Sequence, residues 1–544
     1  MNSNALIAEI LRKEGVEWIA CFPSNPLIEE AAKVGIRPIA FRHERGAVMA
    51  ADGFSRVSNR KRFGVAVVQS QAGAENALGG IAQANADNVP ILVLPGGNVL
   101  DRLGVRPNYQ AVQQYAGMVR RVEALYTPSQ TVDVMRRAFH ALRNGPGGPV
   151  VVELTADVAD AETALGLDSY VPPVRVGQAP GMAEIKDTAA ALVNARRPLL
   201  WAGAGVLRAG ATQALQELAE LLAAPVFCTM PGKSAFDERH PLALGSGSGA
   251  TTLPAHTWIQ STDLLVALGS SLTRTPYGQP VPAGTTLVHN CDNIDDINKD
   301  ERADIALVGD TGATLALLID EVKALIGETP RDASAVTAEI AGLKSQWLAE
   351  WQPLLESDDA PLTYYRVIHE LNQNLDLENS IVTHDAGAPR DSIVPFFQAT
   401  TPHSYVGWGK TTHLGFGIPL AIGAKLAYPE RFCLNLMGDG AFGMSGTDVE
   451  TASRAGAPIT TVLLNNGGMA TYPGGFPTAR TEFGVSHMQG DYAMIADGMG
   501  ARGLRVAAPA EMGPALVEAQ RLNADGTSVL IDVAADMGGK RSRF

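Results

Sequence analysis

Cysteine is scarce: Cys21, Cys228, Cys291 and Cys433 are the only four in 544 residues, and none stands at CxxC or Cys/His metal spacing. Such spacing is what zinc sites require, so no cysteine-built metal centre is expected, and four scattered thiols suit a reducing cytosol. Basic residues are outnumbered, 43 Lys and Arg against 57 Asp and Glu, for a formal net charge of −14. A surface of that sign repels nucleic acid and anionic lipid, so neither is expected as the main partner. No apolar run approaches the roughly 20 residues that span a bilayer, and Glu9 and Glu14 interrupt the N-terminus where a secretory signal would be apolar. The chain therefore reads as soluble and cytoplasmic.

What is present is a globular composition, 46% hydrophobic and 18% charged, in a length that suits about three or four domains at ~150 residues each. Glu17 to Phe22, Arg37 to Arg42, Phe63 to Val68, Val89 to Leu94 and Pro149 to Leu154 read as buried strands, and Leu6 to Glu14 as an amphipathic helix. This alternation predicts a doubly wound α/β domain over 1–165. Tyr170-Val-Pro-Pro-Val marks a linker. A second unit of the same kind is expected over 180–325, with strands at Pro198 to Val206, Pro225 to Thr229, Leu264 to Leu268 and Thr286 to His289. Its Gly203-Ala-Gly205 turn is only part of a dinucleotide fingerprint, because Arg208 stands at the third glycine position. Residues 326–360 read as a charged, Ala-rich connector, and a third domain is expected over 360–544, opening on the strand and turn from Ser380 to Gly387. The fold class is thus α/β, with three doubly wound parallel-sheet domains. The short basic tail after Gly538 reads as solvated.

The most informative stretch runs from Met437 to Pro477. The apolar run Phe432 to Met437 stops at Gly438-Asp439-Gly440, a helix-like segment follows over Gly446 to Gly456, and a second apolar run, Ile459 to Leu464, delivers Asn465 and Asn466. Such a unit sets one carboxylate and one amide at the edge where open α/β sheets bind ligands. Asp439, the Asn466 amide oxygen and a backbone carbonyl at Gly468 offer three hard oxygens to Mg²⁺, with N–H groups around Gly440 and Ala441 for a phosphate. Taken alone, Gly-Asp-Gly is also an ordinary turn. Glu44, which follows Phe41-Arg-His and opens a helix, is taken alone an acid of the kind the helix dipole favours.

The distance from Asp439 to Asn466, 466 − 439 = 27 positions, makes the Gly-Asp-Gly…Asn-Asn pattern resemble the thiamine diphosphate (ThDP) motif of the acetolactate synthase, pyruvate decarboxylase and benzoylformate decarboxylase superfamily. By that resemblance Asp439, Asn466 and the Gly468 carbonyl bind Mg²⁺, with Gly438, Gly440, Ala441 and Met469 around the cofactor. The run from Phe41 to Arg56 is similar to the superfamily's pyrimidine-binding domain. That implies that Glu44 hydrogen-bonds N1′ of the aminopyrimidine, so that the cofactor's own 4′ nitrogen takes the proton from thiazolium C2. Gly73 and Asn76 match a turn and helix that lie against the ring. Trp408 to Ala424 resembles the segment whose bulky apolar residue, here Leu414, stands between the two rings; core packing is the other reading of Leu414. Gly387 is a further cofactor candidate. For the substrate the candidates are Ser24, Asn25, Gln71, His384 and His413, with Tyr472 in a Gly- and Pro-rich lid beside Met469 and Phe476. Turn and N-cap chemistry explains Ser24 and Asn25 equally well. In relatives the middle domain binds FAD or ADP; Cys291 and Asn293 stand where the family run has acids, which argues against FAD here.

The resemblance covers nearly the whole chain. It implies C–C bond cleavage or formation on a 2-oxo acid or 2-hydroxy carbonyl compound with ThDP and Mg²⁺, in a homodimer or homotetramer whose active sites lie between subunits. An acetolactate synthase-like decarboxylase or carboligase is the expected activity. A 2-hydroxyacyl-CoA lyase or oxalyl-CoA decarboxylase is the alternative, with a benzoylformate decarboxylase-like enzyme or a non-catalytic homologue behind it.

Overall fold

A computed structural model describes residues 1–469 and 475–544. The first sheet is built from β1 (Trp18–Cys21), β2 (Arg37–Ala40), β3 (Gly64–Val68), β4 (Ile91–Gly97), β5 (Arg121–Ala124) and β6 (Val150–Thr155) in the order β2-β1-β3-β4-β6-β5. The second holds β7 (Pro198–Ala202), β8 (Val226–Thr229), β9 (Ala243–Gly247), β10 (Leu264–Leu268), β11 (Thr286–Cys291) and β12 (Ile305–Val308) in the order β12-β11-β10-β7-β8-β9. The third holds β13 (Ser380–His384), β14 (Tyr405–Val406), β15 (Phe432–Gly438), β16 (Thr460–Asn465), β17 (Arg502–Val506) and β18 (Val529–Ala534) in the order β14-β13-β15-β16-β18-β17. All pairings are parallel. Parallel sheets are covered by helices on both faces, and the inner strands β3, β6, β7 and β10 are accordingly buried at every position.

β17 and β18 fall in the closing βα units that the sequence leads one to expect over Tyr492 to Val533, but four strands, β5, β9, β12 and β14, have no counterpart among the expected runs. All four are edge strands, which have one neighbour and need no continuous apolar run. The expected strand from Pro198 stops at Ala202. There a Cβ on Gly203 would lie 2.4 Å from the Gly269 carbonyl oxygen, and the chain turns into the helix Ala204–Ala209. The helix expected over Gly446 to Gly456 is instead two short ones, Asp439–Ser445 and Asp448–Arg454, the first starting directly on the carboxylate. The connector contains the 22-residue helix Ser334–Leu355, held by buried Trp347 and Trp351. The tail is docked, not solvated: Trp347 Nε1 donates to Ser542 Oγ at 2.9 Å, and Arg543 Nη2 donates to Asp391 Oδ2 at 2.9 Å. Among the described residues no helix is long and apolar enough to cross a membrane. All four cysteines are free and buried.

The first and third units share one apolar core, in which Trp18, Met49 and Phe54 meet Phe416, Leu420 and Ile422. Its backbone is a pair of helices, Glu44–Arg56 and Gly417–Ala427. They touch through glycine: a Cβ on Gly53 would lie 2.3 Å from the Leu420 carbonyl oxygen, and one on Gly423 only 2.0 Å from that of Ala50. Gly423→Ala is therefore expected to cost about 2–3 kcal/mol through overpacking against backbone. Gly342→Ala, at an exposed helix position with nothing within 4 Å, should instead stabilise by about 0.5–1 kcal/mol. Urea midpoints of the two variants check the pair, and equal shifts would refute this account of the contact.

Candidate active site

Each sheet has a point inside it where successive strands run off to opposite sides, between β1 and β3, between β10 and β7, and between β13 and β15. Ligands of open α/β sheets bind outside the carboxyl ends of the strands at such points. In the third sheet, β13 leads into Asp385 and Gly387, and β15 leads into Asp439; β16, next to β15, delivers Asn466.

Asp439 is 2% exposed. Its Oδ1 accepts the Gly440 N–H at 2.7 Å and its Oδ2 the Gly467 N–H at 3.0 Å. Loss of water raises its pKa, against the lowering by these N–H groups. Asn466 Oδ1 accepts the Gly468 N–H at 2.9 Å, while its Nδ2 donates to Tyr364 Oη at 2.5 Å. The Gly468 N–H, which can only donate, fixes which end of the amide is oxygen; the bond to Tyr364 steadies the other end and was not legible in the sequence, since Tyr364 lies 102 positions away. Met469 lies over Gly440, where a Cβ would come within 3.0 Å of its Cγ. Among the described residues no group of three or more His, Cys, Asp or Glu is placed to hold a metal. The donors here are one carboxylate, one amide oxygen and a carbonyl, a hard oxygen set that fits Mg²⁺ and uses a single charge. A desolvated carboxylate with only N–H donors around it is a place where a cation compensates buried charge.

The second half of the site belongs to the first unit. Glu44 opens its helix and is 3% exposed. Asn76 Nδ2 donates to its Oε2 at 3.1 Å. Its Oε1 borders Gly73, where a Cβ would lie 3.2 Å away, so glycine keeps that oxygen uncovered. The two units meet here: Arg45 Nη2 donates to the Met444 carbonyl at 2.7 Å. Asp448 Oδ1 accepts the Arg42 N–H at 3.2 Å, and Asp448 sits so close to Gly46 that a Cβ there would be 2.2 Å from Oδ2. Burial pushes the Asp448 carboxyl up to about 6. This acid was missed in the sequence; its only signal is an acid nine positions after Asp439, 448 − 439 = 9.

Leu414 is half-buried against the shared core. His413 is also half-buried, beside Gly79 and Arg45, and burial followed by the Arg45 charge lowers its pKa. Gly387 turns the chain at φ +86° into the helix Ala388–Phe396. The structure separates the other candidates. Asn25 is buried, donating to the Val68 and Leu94 carbonyls at 3.1 and 3.3 Å, and thus ties the strand ends of the first sheet together. Ser24 and Gln71 are exposed, and Gln71 Nε2 donates to Asn98 Oδ1 at 3.1 Å. His384 has no open face: it is fully buried, its ring stacked 5.3 Å from that of Trp408, and burial pushes its pKa down to about 3. Tyr472 lies outside the described residues.

A cavity of about 340 Å³ opens at the corresponding point of the middle sheet, lined by Gly203, Arg208, Gly269, Ser271 and Lys410. Arg208 donates to the Asn88 carbonyl at 3.0 Å and Lys410 to Ser271 Oγ at 2.9 Å. Burial lowers the pKa of both, that of Arg208 to about 10. Cys291 is buried, with its thiol on the Asn293 carbonyl at 3.1 Å.

Comparison with known proteins agrees with this division. Residues 1–117 match the thiamine pyrophosphate enzyme N-terminal TPP binding domain, 185–318 its central domain and 385–533 its C-terminal TPP binding domain. The probable acetolactate synthase large subunit of Methanocaldococcus jannaschii is 30% identical over 98% of this chain and 92% of its own length. Acetolactate synthase isozyme 3 large subunit of Escherichia coli is 28% identical over 98% of this chain and 94% of its own. The acetolactate synthase large subunit of Corynebacterium glutamicum is 28% identical over 94% and 82%.

Tyr364→Phe keeps the ring and frees the Asn466 amide to rotate. The expected outcome is a loss of Mg²⁺ affinity on the order of 10-fold, the scale of removing a partner that orients a ligand. Mg²⁺ titration of thermal protection in the presence of ThDP checks it.

Proposed function

This chain belongs to the thiamine pyrophosphate enzymes, as an acetolactate synthase-like, ThDP-dependent enzyme acting on 2-oxo acids, and from that premise we propose that it decarboxylates a 2-oxo acid and joins the remaining acyl unit to a second carbonyl compound. Mg²⁺ is the metal in this reading. The observation that carries it is the pair of candidate half-sites, buried Glu44 at a helix start of the first unit and Asp439 and Asn466 at neighbouring strand ends of the third, which in this reading face each other across a subunit interface.

ThDP, when bound, supplies an electron sink for the bond broken beside a carbonyl. Glu44 holds a proton at N1′ of the aminopyrimidine, and Asn76 fixes the carboxylate so that Oε1 is the oxygen left for that task. Asp439, the Asn466 amide oxygen and the Gly468 carbonyl hold Mg²⁺ against the diphosphate. Leu414 would offer its apolar side chain to the cofactor's two rings. His413, whose pKa burial and the Arg45 charge lower, is the group assigned here to proton exchange with the substrate. The middle cavity is the candidate place for FAD or ADP, where Arg208 and Lys410 offer positive charge to phosphate; Cys291 and Asn293, in place of acids, argue against FAD. The working assembly is a homodimer or homotetramer, and four free, buried thiols suit the cytoplasm.

The test is CO₂ release and acyloin formation from a panel of 2-oxo acids, with ThDP and Mg²⁺ present and then omitted, and acyl-CoA substrates in parallel. The expected result is CO₂ and acyloin that require both cofactors. Glu44→Gln should lower kcat by about 10²-fold or more while ThDP still binds. Cofactor-dependent cleavage of a hydroxyacyl-CoA without CO₂ would overturn the reading in favour of a lyase.

A further inference from the structure

The residue after β13 does more than fill the core. Asp385 is fully buried, and its carboxylate accepts three backbone N–H groups: Ala386 on Oδ1 at 2.8 Å, Gly415 on Oδ1 at 3.0 Å and Gly417 on Oδ2 at 2.9 Å. No side-chain cation pairs with it among the described residues. The three donors come from two segments. Ala386 leads into the Gly387 turn, while Gly415 and Gly417 follow directly on Leu414.

The backbone of the Leu414 loop has few other bonds. Among the described residues, the two bonds to Asp385 are the only hydrogen bonds that the backbone of residues 412–417 makes to another segment. The chain there is strained: Thr412 sits at φ +53° and Gly415 at φ +82°. Gly417 is wedged against Asn435, where a Cβ would lie 2.0 Å from Oδ1. Phe416 anchors the end of the loop in the shared core, its ring 4.6 Å from that of Trp408, while the backbone on either side of it, at Gly415 and Gly417, is held by the carboxylate.

We propose that Asp385 is the positioning residue for Leu414: its two oxygens, by gripping the N–H groups of Gly415 and Gly417, fix the apolar side chain that sets the angle between the two cofactor rings. The proposal rests on the ThDP reading above. Asp385 reaches the chemistry only through the loop. A buried carboxylate stripped of water and raised to about 6 is costly to fold, and three N–H bonds to two loops are what it provides in return.

Asp385→Asn tests it, because an amide of the same shape must point N–H₂ at one of the N–H donors. Four readouts are taken on the ThDP- and Mg²⁺-loaded protein: ThDP affinity by intrinsic fluorescence, exchange of the ThDP C2 proton for deuterium by quenched NMR, kcat and KM, and the urea midpoint. C2 exchange and kcat are expected to fall together by roughly 10²-fold, the scale of a misplacement of about 1 Å, with ThDP affinity and KM nearly unchanged. In a Leu414→Ala background the same substitution should have little further effect on exchange. Exchange at the wild-type rate in a folded, loaded variant would overturn the proposal, as would a loss of ThDP affinity that matches the loss of kcat. Asp385→Ser is the companion variant, and failure of both to fold would make the residue structural and overturn the positioning role. Wild-type exchange no faster than in free ThDP would sink the ThDP reading itself, which keeps the two failures distinguishable.

Discussion

The structure depends on buried carboxylates that form no ion pair with Lys or Arg among the described residues. Asp385, Asp439 and Asp448 are nearly or fully buried at the junction of the first and third units, and each accepts backbone N–H groups instead of pairing with Lys or Arg. Desolvation raises all three, Asp385 and Asp448 to about 6. A carboxyl with a folded pKa above its unfolded value contributes stability that is complete below the unfolded value and lost as pH rises through the folded one. At neutral pH these groups therefore work against folding. What they provide is geometry: an N–H donor is directional, and each carboxylate joins segments distant in sequence, residue 42 to 448 and residue 385 to 415 and 417. Asp439 is the one whose surroundings also offer an amide and a carbonyl oxygen, so a divalent cation can relieve its cost.

Where cations are buried elsewhere in the junction, they are paired. Arg56 lies between Asp52 and Asp87, and Asp87 also accepts the Gly409 N–H at 3.3 Å. This network sits at the far end of the helix that Glu44 begins, so one helix carries a metal-free acid at its start and a compensated ion cluster at its end. The glycine contacts at Gly53 and Gly423 let that helix lie directly on its partner. A bulkier seam would hold the two ends further from the third unit, and the bond from Arg45 to the Met444 carbonyl could not form.

How much of this the sequence discloses follows from the range of each interaction. Strands buried on both faces announce themselves as apolar runs, so the inner strands were legible, whereas four of the six edge strands, β5, β9, β12 and β14, were not. Asp439 and Asn466 were legible because a fixed spacing and flanking glycines carry them. Glu44 was legible only through the pattern around it, since a lone acid at a helix start is common. Asp385, Asp448 and Tyr364 were not, because their meaning lies in partners that are 30, 406 and 102 positions away. His384 shows the converse. Its place in a loop expected near the cofactor suggested chemistry, but the ring is enclosed by Trp408 and Tyr405 and belongs to the packing of β13.

The loop that follows β14 joins these observations into one mechanical unit. It begins at Gly407, where a Cβ would lie 1.9 Å from the Met230 carbonyl oxygen of the middle unit. It passes Lys410, whose ammonium reaches Ser271 across the middle cavity, and Thr411, whose hydroxyl donates to Gln83 of the first unit at 2.8 Å. It then delivers Leu414 and ends on the two N–H bonds to Asp385. Eleven residues from Gly407 to Gly417 thus touch all three units in turn. The part nearest the cofactor position is the part with the fewest bonds. Between the Thr411 hydroxyl and the core-bound ring of Phe416, the backbone on the C-terminal side of Leu414 is bonded to another segment through Asp385, which makes that carboxylate the polar hold on the residue.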